Sequence, residues 1–194
     1  MTMKKRIAIA AVLCMAIIAA AGVFTACGEK QAFVPPHYDY YSFTYDESLG
    51  GLVLDVTHSG LLPDGALSLP ASSYYYDGEE AHDEPKDVVA IADGAFDGCG
   101  RITSVTLPSA YKHIGAEAFK GSGITELVLN NDNVTIADRA FFDCVKLEKV
   151  SGGKVSAVGS EAFFGCVYLR AFDSDTSGAT IAEGAFDHTK TDIS

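Results

Sequence analysis

IADGAFDGCGRITSVTLP, residues 91–108, decides the fold, because its first half returns along the rest of the chain. The dipeptide Ala-Phe recurs at Ala95-Phe96, Ala118-Phe119, Ala140-Phe141, Ala162-Phe163 and Ala185-Phe186, at spacings of 23, 22, 22 and 23 residues. A period that steady marks one small unit stacked on itself. Aligned on Ala-Phe, the coils run 91–113, 114–135, 136–157, 158–180 and 181–194. Ile91, Ile114, Ile136, Val158 and Ile181 open them, and Ala92, Gly115, Ala137, Gly159 and Ala182 follow, always tiny. Cys99, Ser122, Cys144, Cys166 and Thr189 form a column of small residues. Ile102, Ile124, Leu147 and Leu169 come next, then Val105, Leu127, Val150 and Phe172.

One coil cannot bury these residues alone, but coils stacked in register cover each other's apolar columns. Ser104–Leu107 and Glu126–Leu129 alternate as strands do, and fit parallel strands about 4.8 Å apart. The AFDGC-like segments lack that alternation and are predicted to be tight helical or 3₁₀ corners.

The repeat resembles the BspA-type leucine-rich repeat family of bacterial surface proteins, over about residues 88–194. The resemblance rests on an Ile-(Gly/Ala)-x-x-Ala-Phe-x-x-Cys corner followed by a Leu-x-x-Val-x-Leu-Pro strand, best seen from Ile91 to Pro108. It implies an α/β leucine-rich-repeat-like solenoid, mostly β, with about four to five coils of 22–23 residues. It also implies adhesion to, or interaction with, extracellular or host-surface protein. Gly152 and Ser174 replace the last strand Leu of coils three and four, and Pro108 has no counterpart in coils two to four. Those coils are expected to be less regular.

Lys4, Lys5 and Arg6 precede an uncharged, mostly apolar stretch from Ile7 to Ala26, the layout of a signal peptide over 1–26. It ends Phe24-Thr25-Ala26-Cys27, which resembles a bacterial lipobox with Phe24 in the place of an aliphatic residue. That resemblance implies cleavage before Cys27, acylation of that Cys, and attachment to the membrane through the lipid anchor. The alternative is an uncleaved span, since about 20 apolar residues suffice to cross a bilayer. Either way the rest of the chain lies outside the cytoplasm. Residues 27–40, with Pro35-Pro36, read as a tether.

Removing the three cations of positions 1–26 leaves 11 Lys+Arg against 26 Asp+Glu, a net charge of −15. Such a balance disfavours nucleic acid, whose phosphates need clustered cations. Cys99, Cys144 and Cys166 share one inward column and read as buried free thiols, although Cys144 and Cys166 lie on neighbouring rungs. No Cys-x-x-Cys pair supports zinc or thioredoxin-like chemistry.

Upstream, residues 41–90 form the N-terminal unit. Tyr41, Phe43 and Tyr45, then Leu52, Leu54 and Val56, alternate around Gly50-Gly51 and predict a β-hairpin cap for the open end of the stack. Ala66–Pro70 reads as a first strand. Pro70 precedes Ile91 by 21 residues, whereas Pro108 precedes Ile114 by six. The excess is an insertion over about 72–87 that holds Tyr74, Tyr75, Tyr76 and an acidic run. Insertions in repeat proteins emerge as surface loops and often bind.

No nucleophile elbow, Walker loop, paired-His zinc helix or EF-hand occurs, and nothing calls for a metal or cofactor. The repeat accounts for Gly94 and Gly98. Asn130–Asn133 and Asp173–Asp175 read as turns before they read as Ca²⁺ ligands. The first binding candidate is therefore the insertion with Tyr74–Tyr76, and the second is the set of outward strand positions Thr106, Glu126, Val128, Lys149 and Ser151, where Glu126 and Lys149 are placed to pair across rungs. Seven of nine Tyr lie between 38 and 76, and they either form a contact patch for protein or sugar or pack over the first rung. A non-enzymatic, surface-bound binding protein is the first expectation. A structural subunit of the cell envelope is the second, and an accessory to glycan processing the third.

Overall fold

The computed structural model describes residues 40–76, 82 and 84–191. The leader, Cys27, the tether and the centre of the acidic insertion lie outside the described residues. The described residues form thirteen strands: β1 Tyr41–Asp46, β2 Gly51–Val56, β3 Gly65–Ser68, β4 Ser72–Ser73, β5 Lys86–Ile91, β6 Ile102–Leu107, β7 His113–Ile114, β8 Glu126–Leu129, β9 Val134–Ile136, β10 Lys149–Ser151, β11 Val155–Val158, β12 Ala171–Phe172 and β13 Thr180–Ile181. They form two sheets. The larger runs β1-β2-β5-β7-β9-β11-β13, with β4 paired beside it on β5, and the smaller runs β12-β10-β8-β6-β3.

Coils one to four contribute a strand to each sheet, and among the described residues coil five contributes β13 alone. Ile91 pairs in parallel with Ile114, Ile114 with Ile136, Ile136 with Val158 and Val158 with Ile181. In the smaller sheet Leu67, Val105, Leu127, Val150 and Phe172 align in the same way. The opening column is thus a second strand set, which the sequence pattern did not announce as strand. The reason is length: β7 and β13 have two residues each, too few to show alternation.

The core between the sheets is a ladder. Phe96, Phe119, Phe141 and Phe163 are fully buried. Their rings stack at 4.8, 5.2 and 5.0 Å with interplanar angles of 2–3°. Phe186 continues the stack at 5.0 Å but is only partly buried. At the other end Tyr41 of the hairpin lies edge-on to Phe96 at 6.4 Å. The hairpin forms in the register Tyr41↔Val56 to Asp46↔Gly51. Its second strand is itself a rung, because Leu54 pairs in parallel with Ile91. Strands β6, β8, β10 and β12 shorten from six residues to four, three and two, in step with the loss of Pro and the terminal Leu.

The corners depart from expectation. Among the described residues the one 3₁₀ turn is Ser59–Leu61, outside the repeat. In coil one, Ala95, Asp97 and Cys99 donate their N–H groups to the carbonyls three residues back, at 3.4, 3.0 and 3.2 Å. The alternate residues Gly94, Phe96 and Gly98 donate to Ala116, Ala118 and Lys120 of the next coil, at 2.9, 2.6 and 2.8 Å. A helix would spend every amide within the coil. Here half the amides face the neighbour, so the corner is a chain of single turns that also stitches coils together. Turning the amides requires left-handed backbone at two columns. They are Gly94, Glu117, Arg139, Glu161 and Gly184, and Gly98, Gly121, Asp143, Gly165 and His188, with φ between 54° and 75°.

Asp93 and Asp138, at the third position of odd coils, accept the N–H of Ala116 and Ser160 in the next coil at 2.7 and 2.8 Å. This approach explains why the tiny column alternates Ala and Gly. A Cβ on Gly115 would sit 2.6 Å from Asp93 Oδ1 and 2.7 Å from the Ala92 carbonyl carbon. Gly115→Ala is therefore expected to destabilise by about 1–3 kcal/mol through overpacking against backbone. Phe141→Ala, mid-ladder, is expected to cost about 3–5 kcal/mol. Urea unfolding of both variants checks these values, and an unchanged midpoint for Phe141→Ala contradicts the ladder.

Candidate functional site

The smaller sheet presents an outward face because its strands alternate. Val105, Leu127 and Val150 point inward and are fully buried. Their neighbours point out, and the parallel register lines them up. One row reads Ala66, Ser104, Glu126, Lys149, Ala171. The next reads Ser68, Thr106, Val128, Ser151. All five outward residues expected from the sequence therefore share two adjacent rows.

Lys149 is the centre of charge on this face. Its Nζ lies 4.0 Å from Glu126 Oε1 and 3.9 Å from Asp173 Oδ2. The three side chains are roughly half exposed, so each contact contributes at most about 1 kcal/mol. The second row carries no charge. Together they form a mild surface with one cation between two carboxylates, suited to hydrogen bonding and modest apolar contact.

The tyrosines lie elsewhere. Tyr75 stacks on Tyr45 of β1 at 5.5 Å and on His82 at 4.2 Å, beside the larger sheet, and packs against the core cluster. Tyr76 is 56% exposed and Tyr74 is half-buried. The base of the insertion is closed by β4 on β5, with Ser72 opposite Asp87 and Ser73 opposite Lys86. The two groups of candidate residues thus belong to different sheets.

The corners carry residues that the sequence reading passed over. Arg139 Nε donates to Glu161 Oε2 at 2.7 Å, and its Nη1 lies 3.6 Å from Glu117 Oε1. The Lys120 hydrogen bond at 2.8 Å, then the Lys120 and Arg139 charges, hold Glu117 below the usual carboxylate range. Glu161 in turn raises Arg139. The two Glu and Arg139 share one left-handed column, so their side chains leave successive coils in the same direction. Phe142 and Phe164 also stack, at 5.1 Å, with Arg139 4.9 Å above the Phe142 ring. The signal was visible in the aligned coils: this column reads Asp97, Lys120, Phe142, Phe164, Asp187.

Conventional chemistry finds few parts. Among the described residues no group of three or more His, Cys, Asp or Glu is placed to hold a metal ion. Asn131 Oδ1 accepts the Asn133 N–H at 2.8 Å, and Asp175 Oδ1 accepts the Ser177 N–H at 2.7 Å, so both are turn caps. Asp175 also faces Lys154 Nζ at 3.7 Å. The three thiols are buried and unbridged. Cys144 Sγ donates to the Phe119 carbonyl at 2.9 Å and Cys166 Sγ to that of Phe141 at 3.1 Å. Burial, then the Asp97 charge, pushes the Cys99 thiol up, and the Cys144 contact followed by burial pushes Cys166 far up. Both shifts oppose thiolate chemistry. A shallow depression of about 450 Å³ lies between Ser59–Leu62 and Gly98–Ile102. Arg101 spans it, donating to the Gly60 carbonyl at 2.8 Å and pairing with Asp64 at 3.1 Å.

Glu117 and Asp175 are both held below their ordinary pKa, the latter by the Ser177 hydrogen bond first. Stability from such groups is present above the unfolded value and is lost as pH falls through the folded one. The melting temperature is expected to hold from pH 7 to 5 and to drop below the ordinary values of 4.5 and 3.8. Glu117→Gln is expected to reduce that acid slope, as a melting series from pH 7 to 2 would show.

A family model described as BspA type leucine rich repeat region matches residues 68–192 in six copies. A leucine-rich repeat protein of T. pallidum superposes with a TM-score of 0.56 at 23% identity, covering 79% of this chain and 66% of that one. One from Bacteroides ovatus gives 0.52 at 23% identity, covering 71% of this chain and 40% of the other. These likenesses are likenesses of fold, and the chain spans only part of either protein's length. No curated protein matches the chain.

Proposed function

The chain belongs to the BspA type leucine-rich repeat family, and from that membership we propose a non-enzymatic, cell-surface lipoprotein that binds an extracellular or host-surface protein through the outward face of its smaller sheet. The family suggests a protein-binding or surface-repeat role. The observation that carries the rest is the register, which aligns Thr106, Val128 and Ser151 beside Ser104, Glu126 and Lys149. A rigid ladder behind these positions presents them without the ordering cost that a mobile surface would incur on binding. The Tyr74–Tyr76 insertion is the competing site. Tyr76 is more than half exposed and belongs to a residue type favoured at interfaces.

Export follows from the leader, and attachment from acylation of Cys27. Cys27→Ser is expected to move the protein from the membrane fraction to the medium and to abolish incorporation of labelled palmitate. Unchanged fractionation contradicts the lipid anchor.

To test the site, the immobilised protein is challenged with solubilised host-surface proteins. The paired change Thr106→Arg with Val128→Arg is expected to cut retention of the bound species at least about tenfold, the scale of a lost interface centre. The paired change Tyr74→Ser with Tyr76→Ser is expected to leave retention intact. The reverse outcome assigns the site to the insertion, and equal retention by both variants rejects both sites.

A further inference from the structure

Three large apolar side chains stand exposed together in coils three and four: Val145 at 46%, Val167 at 41% and Tyr168 at 48%. Val145 and Val167 occupy one column, immediately after Cys144 and Cys166, where coils one and two carry Gly100 and Gly123. Both follow the same tight turn, with the Val145 N–H donating to the Asp143 carbonyl and the Val167 N–H to that of Gly165, each at 2.8 Å. Neighbouring coils therefore present the two valines alike. The core does not require them, since Cys144, Leu147, Cys166 and Leu169 on either side are fully buried.

The surrounding charge is distinctive. Of the ten lysines and arginines among the described residues, five are held in ion pairs: Arg101, Lys120, Arg139, Lys149 and Lys154. Three of the other five border this strip. Lys146 follows Val145 and shares a column with Tyr168. Lys190 holds its ammonium 5.2 Å from the centre of the Tyr168 ring. Arg170 stands exposed two residues beyond Tyr168. Glu148, whose carbonyl accepts the Arg170 N–H at 3.0 Å, makes no ion pair with it. An acidic chain of net charge −12 thus keeps unneutralised cations around an exposed apolar strip.

We propose that the strip of Val145, Val167 and Tyr168, bordered by Lys146, Arg170 and Lys190, docks an acidic peptide segment that carries apolar side chains. Carboxylates of the segment meet the cations, and its apolar side chains cover the valines and the tyrosine ring. A short segment meets only the local cations, whereas an anionic bilayer, a nucleic acid or a second copy also faces the acidic remainder of the surface, which repels it. This surface lies on the connections that lead into β10 and β12, apart from the rows of the smaller sheet, and does not depend on them.

The test uses the whole protein and a fluorescent peptide, Glu-Leu-Glu-Phe-Glu-Leu-Glu, read by anisotropy. Saturable binding is expected, weakening as salt rises. It is expected to fall at least about tenfold in the paired variant Val167→Ser with Tyr168→Ser, and likewise in Lys146→Glu with Lys190→Glu. Lys86→Glu with Lys112→Glu, which removes as many cations away from the strip, is expected to bind as the unaltered protein does. All changed positions are exposed, and thermal melting verifies that the variants fold. The proposal is overturned by absence of saturation up to about 1 mM peptide, the weak limit of specific affinities. Equal binding of peptides with Lys for Glu or Gly for Leu and Phe also overturns it, as do variants that bind unchanged. Dimerisation in sedimentation, or binding to phosphatidylserine vesicles, that the serine variant abolishes would assign the strip to a second copy or to lipid instead.

Discussion

The structure depends on one division of labour among backbone amides. In the corners of coils one to four, alternate N–H groups close a turn within the coil while the others reach the next coil, so that Phe96, Phe119, Phe141 and Phe163 each donate one rung down. This fixes the coil spacing at about 5 Å, near the separation of paired strands. It holds the phenylalanine rings face to face at the same interval. The spacing of the core and that of the two sheets are therefore one quantity. A change that suits one and not the other, such as a Cβ at the Asp93 approach, disturbs both.

That coupling explains which residues are free to serve function. The inward columns are confined by packing, and the corner columns by left-handed backbone. The outward strand positions and the residues just past the buried thiols answer to neither constraint. Glu126, Lys149 and Asp173 on the smaller sheet, and Val145, Val167 and Tyr168 on the connections, occur at such positions. Their side chains differ from coil to coil while their backbones do not. A repeat scaffold thus presents dissimilar side chains at regular intervals on a rigid support, which suits recognition better than it suits catalysis.

The repeat was legible because burial repeats: five Ala-Phe pairs and an Ile column leave an unmistakable period. The outward rows followed from it, since strand alternation and register are simple consequences of that period. The second strand set was not legible as a set, because β7, β9 and β13 have only two or three residues and cannot display alternation. The corners were mistaken for helical pieces because their i to i−3 bonds are shared by a 3₁₀ turn, and only the neighbouring coil reveals where the remaining amides go. The Glu117–Arg139–Glu161 ladder escaped notice because non-glycine residues give no sequence sign of left-handed backbone. The exposed valine and tyrosine strip resembled core in the linear sequence, as hydrophobic residues beside a buried column do.

Native-state hydrogen exchange at single-residue resolution tests the stacking of the coils most directly. The account requires strong and similar protection of the Phe96, Phe119, Phe141 and Phe163 amides, which bridge coils. They should open together with the Ile114 and Ile136 rungs in one cooperative unit. Rapid, independent exchange at those four phenylalanine amides, with protection confined to β6 and β8, would contradict it.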